Sequence, residues 1–173
     1  TDILGSQSIS DSRVDYVYEW TDFGDGYEIK GKFYVPKKVT TTVEQSGKDI
    51  FGGSWNTVTP YTITQEYKEK PWNTKKVWGY DIEGKDALID GEFTKRTVSE
   101  GEDIFGNKTG TVTDITFKLI KGKTVTKASE STTTGTDILG SQSISESRVD
   151  YEYDWVDFGD GYEIKGKFYV PKK

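Results

Sequence analysis

Residues 1–38 and 136–173 are one segment written twice, at an offset of 135. TDILGSQSISDSRVDYVYEWTDFGDGYEIKGKFYVPKK returns as TDILGSQSISESRVDYEYDWVDFGDGYEIKGKFYVPKK. Only four positions differ: Asp11/Glu146, Val17/Glu152, Glu19/Asp154 and Thr21/Val156. Any fold for this chain has to place both copies. The segment 39–135 could be completed by either one, so 1–135 and 39–173 are circular permutants. A hairpin left alone with an aromatic face is marginal in water. Both copies are therefore expected to pack, in one continuous elongated stack or sandwich. The division is 1–38 as a hairpin segment, 39–135 as a middle β region completing a 135-residue unit, and 136–173 as the second hairpin copy. Near-identity of this kind reflects tandem duplication in a modular array.

The copied segment alternates. Val149, Tyr151, Tyr153 and Trp155 are interleaved with Asp150, Glu152 and Asp154, the period-two pattern of a half-buried strand. The returning strand sets Tyr162, Ile164, Gly166, Phe168 and Val170 on one face and Glu163, Lys165, Lys167 and Tyr169 on the other. Acidic residues of one strand can then face lysines of the next across the wet side. Val17 becoming Glu152 suits a solvent-facing position. Further alternating strands are read at Val14–Trp20, Tyr61–Tyr67 and Thr113–Leu119. The hairpin aromatics, Trp20, Trp155 and Trp78 among them, are assigned to the core. Pro36 and Pro171 are expected to end the hairpins, since proline cannot donate to a central ladder. The Thr/Ser/Glu/Gly-rich stretches Val39–Gly47 and Ala128–Gly135 read as linkers or edge strands.

Composition sharpens the class. The chain has 22 Thr against 4 Leu and 2 Ala, which starves helices and favours strands. Hydrophobic residues make up only 32%, yet aromatics reach 14%, too many for an ordinary disordered chain. The expected fold is all-β: antiparallel hairpin repeats forming an elongated β-sandwich or solenoid-like stacked-sheet array. With no His and no Cys, triads, dyads, disulfides and His/Cys zinc sites are excluded. Any metal would be a hard one held by oxygens, and none is required. A net charge of −6 argues against a nucleic-acid partner. No apolar run approaches the roughly 18 residues of a membrane span, so no membrane insertion is expected. Lacking Met and a signal peptide, the chain reads as an internal piece of a longer protein.

A shorter box recurs: GKDIFGGS at 47–54, GEDIFGNK at 101–108 and GTDILGSQ at 135–142, with TDILGSQ at 1–7. Gly-x-Asp-Ile-(Phe/Leu)-Gly resembles half of the Gly-Gly-x-Gly-x-Asp-x-apolar-x nonapeptide of RTX calcium-binding repeats in secreted bacterial proteins. That resemblance implies Ca²⁺ ligation by Asp49, Asp103 and Asp137, with the apolar residue filling a roll. RTX repeats recur every nine residues, whereas these boxes lie 34 to 54 apart, so no β-roll can form from them. Read from the residues alone, each box is a turn whose Asp side chain bonds nearby amides. Asp22, Asp25 and Glu28, repeated as Asp157, Asp160 and Glu163, gather carboxylates around a glycine-rich bend that could offer Ca²⁺ several oxygens. An ordinary hairpin turn explains the same residues. The FGDG string after Trp is similar to a short signature of PKD-type surface domains, over about six residues.

Trp55 and Trp72 stand in loop-like contexts, Ser-Trp-Asn-Thr and Pro-Trp-Asn-Thr. Exposed, they could stack on a sugar ring; folded back, they would cover the end of a sheet. For an enzyme, only a pair of carboxylates remains open, and no clustered acid motif, nucleophile elbow or phosphate loop is present. The expectation is a non-enzymatic structural repeat of a large extracellular surface protein, adhesin or matrix component, with Ca²⁺ as a stiffener. Its partners would be neighbouring repeats of the same chain, with a glycan or surface ligand besides. The alternative is a carbohydrate-binding β-module.

Overall fold

The computed structural model describes residues 6–24, 27, 30–72, 75–87, 89, 91–120, 123–158 and 166–172, with backbone alone at 72, 75–76, 154–158 and 166–172. Among these residues twelve strands form: β1 Gln7–Phe23, β2 Gly31–Lys48, β3 Ser54–Thr59, β4 Tyr61–Trp72, β5 Lys75–Ile82, β6 Lys85–Asp86, β7 Gly91–Glu102, β8 Lys108–Ile120, β9 Lys123–Thr136, β10 Gln142–Asp150, β11 Glu152–Phe158 and β12 Gly166–Lys172. The chain is all-β, as its threonines and aromatics predict, and every ladder is antiparallel.

Ten strands make one open sheet, in the order β10-β9-β8-β7-β3-β2-β4-β5-β6, with β1 on the other edge of β2. The branching comes from Pro60. Residues 46–48 of β2 pair with β3, and residues 38–43 pair with β4. Proline between them has no N–H for the ladder, so β3 and β4 part company there. β3 leads on to β7 through β10, and β4 leads to β5 and β6.

The core lies in this fork. Ile82, Ala87 and Leu119 are buried, with Ile63, Tyr80 and Phe93 packed against them. Phe117 stacks on Phe93 at 5.3 Å and meets Tyr61 at 5.9 Å. Away from the fork less is covered. Strands β1 and β10 are exposed over nearly all of both faces. A chain with 32% hydrophobic residues cannot cover a sheet of ten strands twice.

Several expectations change here. Val39–Gly47 and Ala128–Gly135 are neither linkers nor edges; they lie in β2 and β9, each with neighbours on both sides. Across β7, β8 and β9 threonine supplies the reason, because facing hydroxyls tie these strands together. Thr111 meets Thr133 at 2.9 Å, Thr113 meets Ser131 at 2.9 Å, and Thr94 meets Thr116 at 3.1 Å. Pro36 does not end its hairpin. β2 runs through it, with a bulge opposite Val17 and Tyr18 that leaves Lys37 as the extra residue. The Lys37 ammonium sits over the Trp78 ring, 3.9 Å from its centroid.

The two hairpin copies share a register. Phe23 opposes Gly31 and Tyr18 opposes Pro36; Phe158 opposes Gly166 and Tyr153 opposes Pro171. The first copy folds back on the sheet. Phe23 packs on Phe33, Tyr27 and Trp78, and Trp78 continues to Tyr67. The second copy splits at Tyr151, and β11–β12 form a two-stranded sheet of their own.

Candidate functional site

The three described boxes make three turns of one geometry. In each, the carbonyl of the Asp accepts from the Gly three residues on: Asp49 from Gly52, Asp103 from Gly106, Asp137 from Gly140. The Asp N–H in turn donates to the carbonyl of Gly53, Asn107 or Ser141. Gly52, Gly106 and Gly140 have φ of 100°, 85° and 86°, the left-handed region that closes a type I turn with a glycine bulge. The Asp Oδ1 then accepts two backbone N–H groups from inside the turn. For Asp103 these come from Phe105 at 2.8 Å and Asn107 at 2.9 Å; for Asp137, from Leu139 at 2.9 Å and Ser141 at 2.8 Å; for Asp49, from Phe51 and Gly53.

Asn107 adds its side-chain amide to Asp103 Oδ2 at 2.7 Å. This bond, helped by the amides of Asn107 and Phe105, holds the Asp103 carboxyl below its ordinary range although burial opposes it more than either amide alone supports it. Asp137 is lowered likewise, first by the Ser141 amide and then by the Ser141 side chain. The turns lie side by side at one end of the sheet. Ile104 reaches over Gly52, 3.3 Å from where a Cβ would stand, and Ile138 reaches over Gly106 at 3.4 Å. Asn107 Oδ1 accepts the Ile138 N–H.

Beside this row lies a groove of about 470 Å³ lined by Lys48, Asp49, Trp55, Glu102, Asp103 and Asn107. Trp55 is in β3, not a loop. It lies between Gly47 and Gly101 in register, and a Cβ on Gly47 would fall 2.3 Å from its Nε1. The two glycines open the space the indole fills. Trp72 ends β4, and its side chain is outside the described residues.

The Asp22 bend is described only in part. Asp22 opposes Lys32, and Asp157 opposes Lys167. Asp25, Glu28, Asp160 and Glu163 lie outside the described residues, as does the Asp157 side chain. Among the described residues no three acidic side chains converge as a cation site.

A further surface went unread in the sequence. Tyr16, Tyr18 and Trp20 on β1 and Tyr34 on β2 form a row on one sheet face. Tyr16 stacks on Tyr18 at 6.0 Å, Tyr18 on Tyr34 at 5.4 Å, and Trp20 tilts against Tyr34 at 5.4 Å. Trp20 is 71% exposed and Tyr34 59%, so this face is open and not core. The signal was the two-residue spacing of the aromatics. Alternation sorts side chains between two faces without saying which face is covered. No family model, curated protein or solved structure matches the chain.

Proposed function

We propose that the chain is a non-enzymatic structural repeat of an extracellular surface, adhesin or matrix protein, its hairpins forming an elongated stacked-sheet array. The row of superposable Asp turns carries this reading: one short sequence builds the same hairpin end three times, each seated on the last. Such a row resists bending of the sheet end without a deep core. The short-motif resemblance to RTX-type secreted proteins accords with a surface location. Single-molecule extension of the full chain between handles tests the mechanical role. A reproducible force peak is expected, and extension without one overturns the reading. Ca²⁺ enters as an added stiffener at the Asp boxes and the Asp22 bends. A melting curve in millimolar Ca²⁺ that lies several degrees above the curve in EDTA supports it, and superimposable curves remove it.

The exposed aromatic row favours one second reading, a carbohydrate-binding β-module. Flat rings in line on a sheet suit the faces of successive sugars. Binding of the full chain to insoluble polysaccharides, lost in Trp20→Ala and Tyr34→Ala, is the expected result on that reading. Loss in Trp55→Ala instead would move the site to the groove beside the turns.

A further inference from the structure

Strands β1 and β10 are copies, Gln7–Asp15 and Gln142–Asp150, differing only at Asp11/Glu146. Yet they have different neighbours. β1 pairs with the strand that follows it, β2, and β10 with the strand that precedes it, β9. An antiparallel ladder alternates bonded and non-bonded pairs, so one known bond fixes which residues use which edge. Asp137 bonds to Ser141, so Ser143, Ser145, Ser147 and Val149 bond to β9; the Tyr151 N–H to Lys127 O bond, 2.8 Å, continues the same phase. Asp49 bonds to Gly53, so Gly47 faces β3, while Lys48, Ser46, Glu44 and Thr42 turn to β1 and bond to Gln7, Ile9, Asp11 and Arg13. At the offset of 135 those are Gln142, Ile144, Glu146 and Arg148, the very residues of β10 that do not bond to β9.

The two copies therefore use opposite edges of one strand. We propose that β1 and β10 are a single joining strand seen from its two sides, and that the open edge of β10 takes residues 40–48 from the β2 strand of a second copy of this repeat. The inference deepens the structural-repeat reading and rests on it. Pairing would follow the β1 register, with Gln142 opposite Lys48 and Asp150 opposite Thr40. The sheet then runs unbroken from unit to unit, and the row of turns continues with it. Gly140 has nothing within 4 Å of its Cβ position among the described residues, whereas Gly52 and Gly106 each carry the isoleucine of the next box. Ile50 of the second copy would fill that place. Tyr153, in the copy with a preceding strand, bonds its hydroxyl to Thr126 O, while its counterpart Tyr18 stays exposed.

The test uses the full 173-residue chain extended by a second copy of residues 39–48, since Lys173 already stands where Lys38 does. Ser10 and Gln45 form a non-bonded pair of β1 and β2, close enough for a disulfide. Ser145→Cys, with cysteine replacing the Gln45 counterpart in the added strand, should oxidise within the molecule. The chain has no other cysteine to confuse the result. A Val149→Cys partner, four residues out of register, should give roughly tenfold less. Equal yields from the two pairs, or linkage only between molecules, would overturn the shared strand. The structural reading would survive that failure, because repeats can be strung as separate beads. The absence of a force peak would sink the mechanical role and leave the disulfide result standing.

Discussion

At Lys70 the ammonium is 2.8 Å from Asp81, 2.7 Å from Asp86 and 2.7 Å from Tyr80 O, with its side chain only 10% exposed. Burial works against its charge, but the two carboxylates prevail and raise its pKa. Removing the cation takes the shared partner from two half-buried carboxylates, of which Asp81 keeps Lys68 at 3.5 Å. Lys70→Met should therefore destabilise by roughly 2–4 kcal/mol in urea unfolding, below a fully buried pair because Asp86 keeps contact with water. A raised lysine contributes fully below its unfolded value of about 10.4 and loses that contribution as pH rises through the folded one. The gap between wild type and Lys70→Met should narrow at alkaline pH. Asp103 and Asp137 work in the opposite sense: their lowered values stabilise above about pH 3.9 and fail as pH falls. Melting temperatures of wild type and Asp103→Ala should converge in acid. Thr21 is buried with its hydroxyl unpartnered among the described residues, and the other copy has Val156 at the same place. Thr21→Val should raise stability by about 1 kcal/mol, read from the urea midpoint.

The elements rest on glycines at two kinds of position. Gly106 turns its hairpin with a φ of 85°, so Gly106→Ala should cost about 1–2 kcal/mol in urea unfolding. Gly47 makes room for Trp55, and a valine there should expel the indole, visible as a red shift in tryptophan emission. The boxes were legible as turns because Asp and Gly at fixed spacing carry their own geometry. The long strands were harder to read. Threonine runs look like linkers when burial is the only criterion, whereas β9 uses them as a hydroxyl ladder against β8. Pro36 looked like a stop because proline lacks a donor, and a bulge absorbed it.

Among the described residues, burial is concentrated at one fork. Leu119 is fully buried between the branches, so Leu119→Ala should cost about 2–5 kcal/mol and lower the melting point of the entire chain. Trp20→Ala, on the open face, should stay within about 0.5 kcal/mol of wild type. Residue spacing alone determined the all-β class, the strand alternation and the Asp turns, because these depend on contacts a few residues long. The tertiary structure decided which aromatic face stays open, where the sheet divides, and which edge of the duplicated strand is used. Those choices depend on what lies across the sheet, and two nearly identical segments differ there only by the company each keeps.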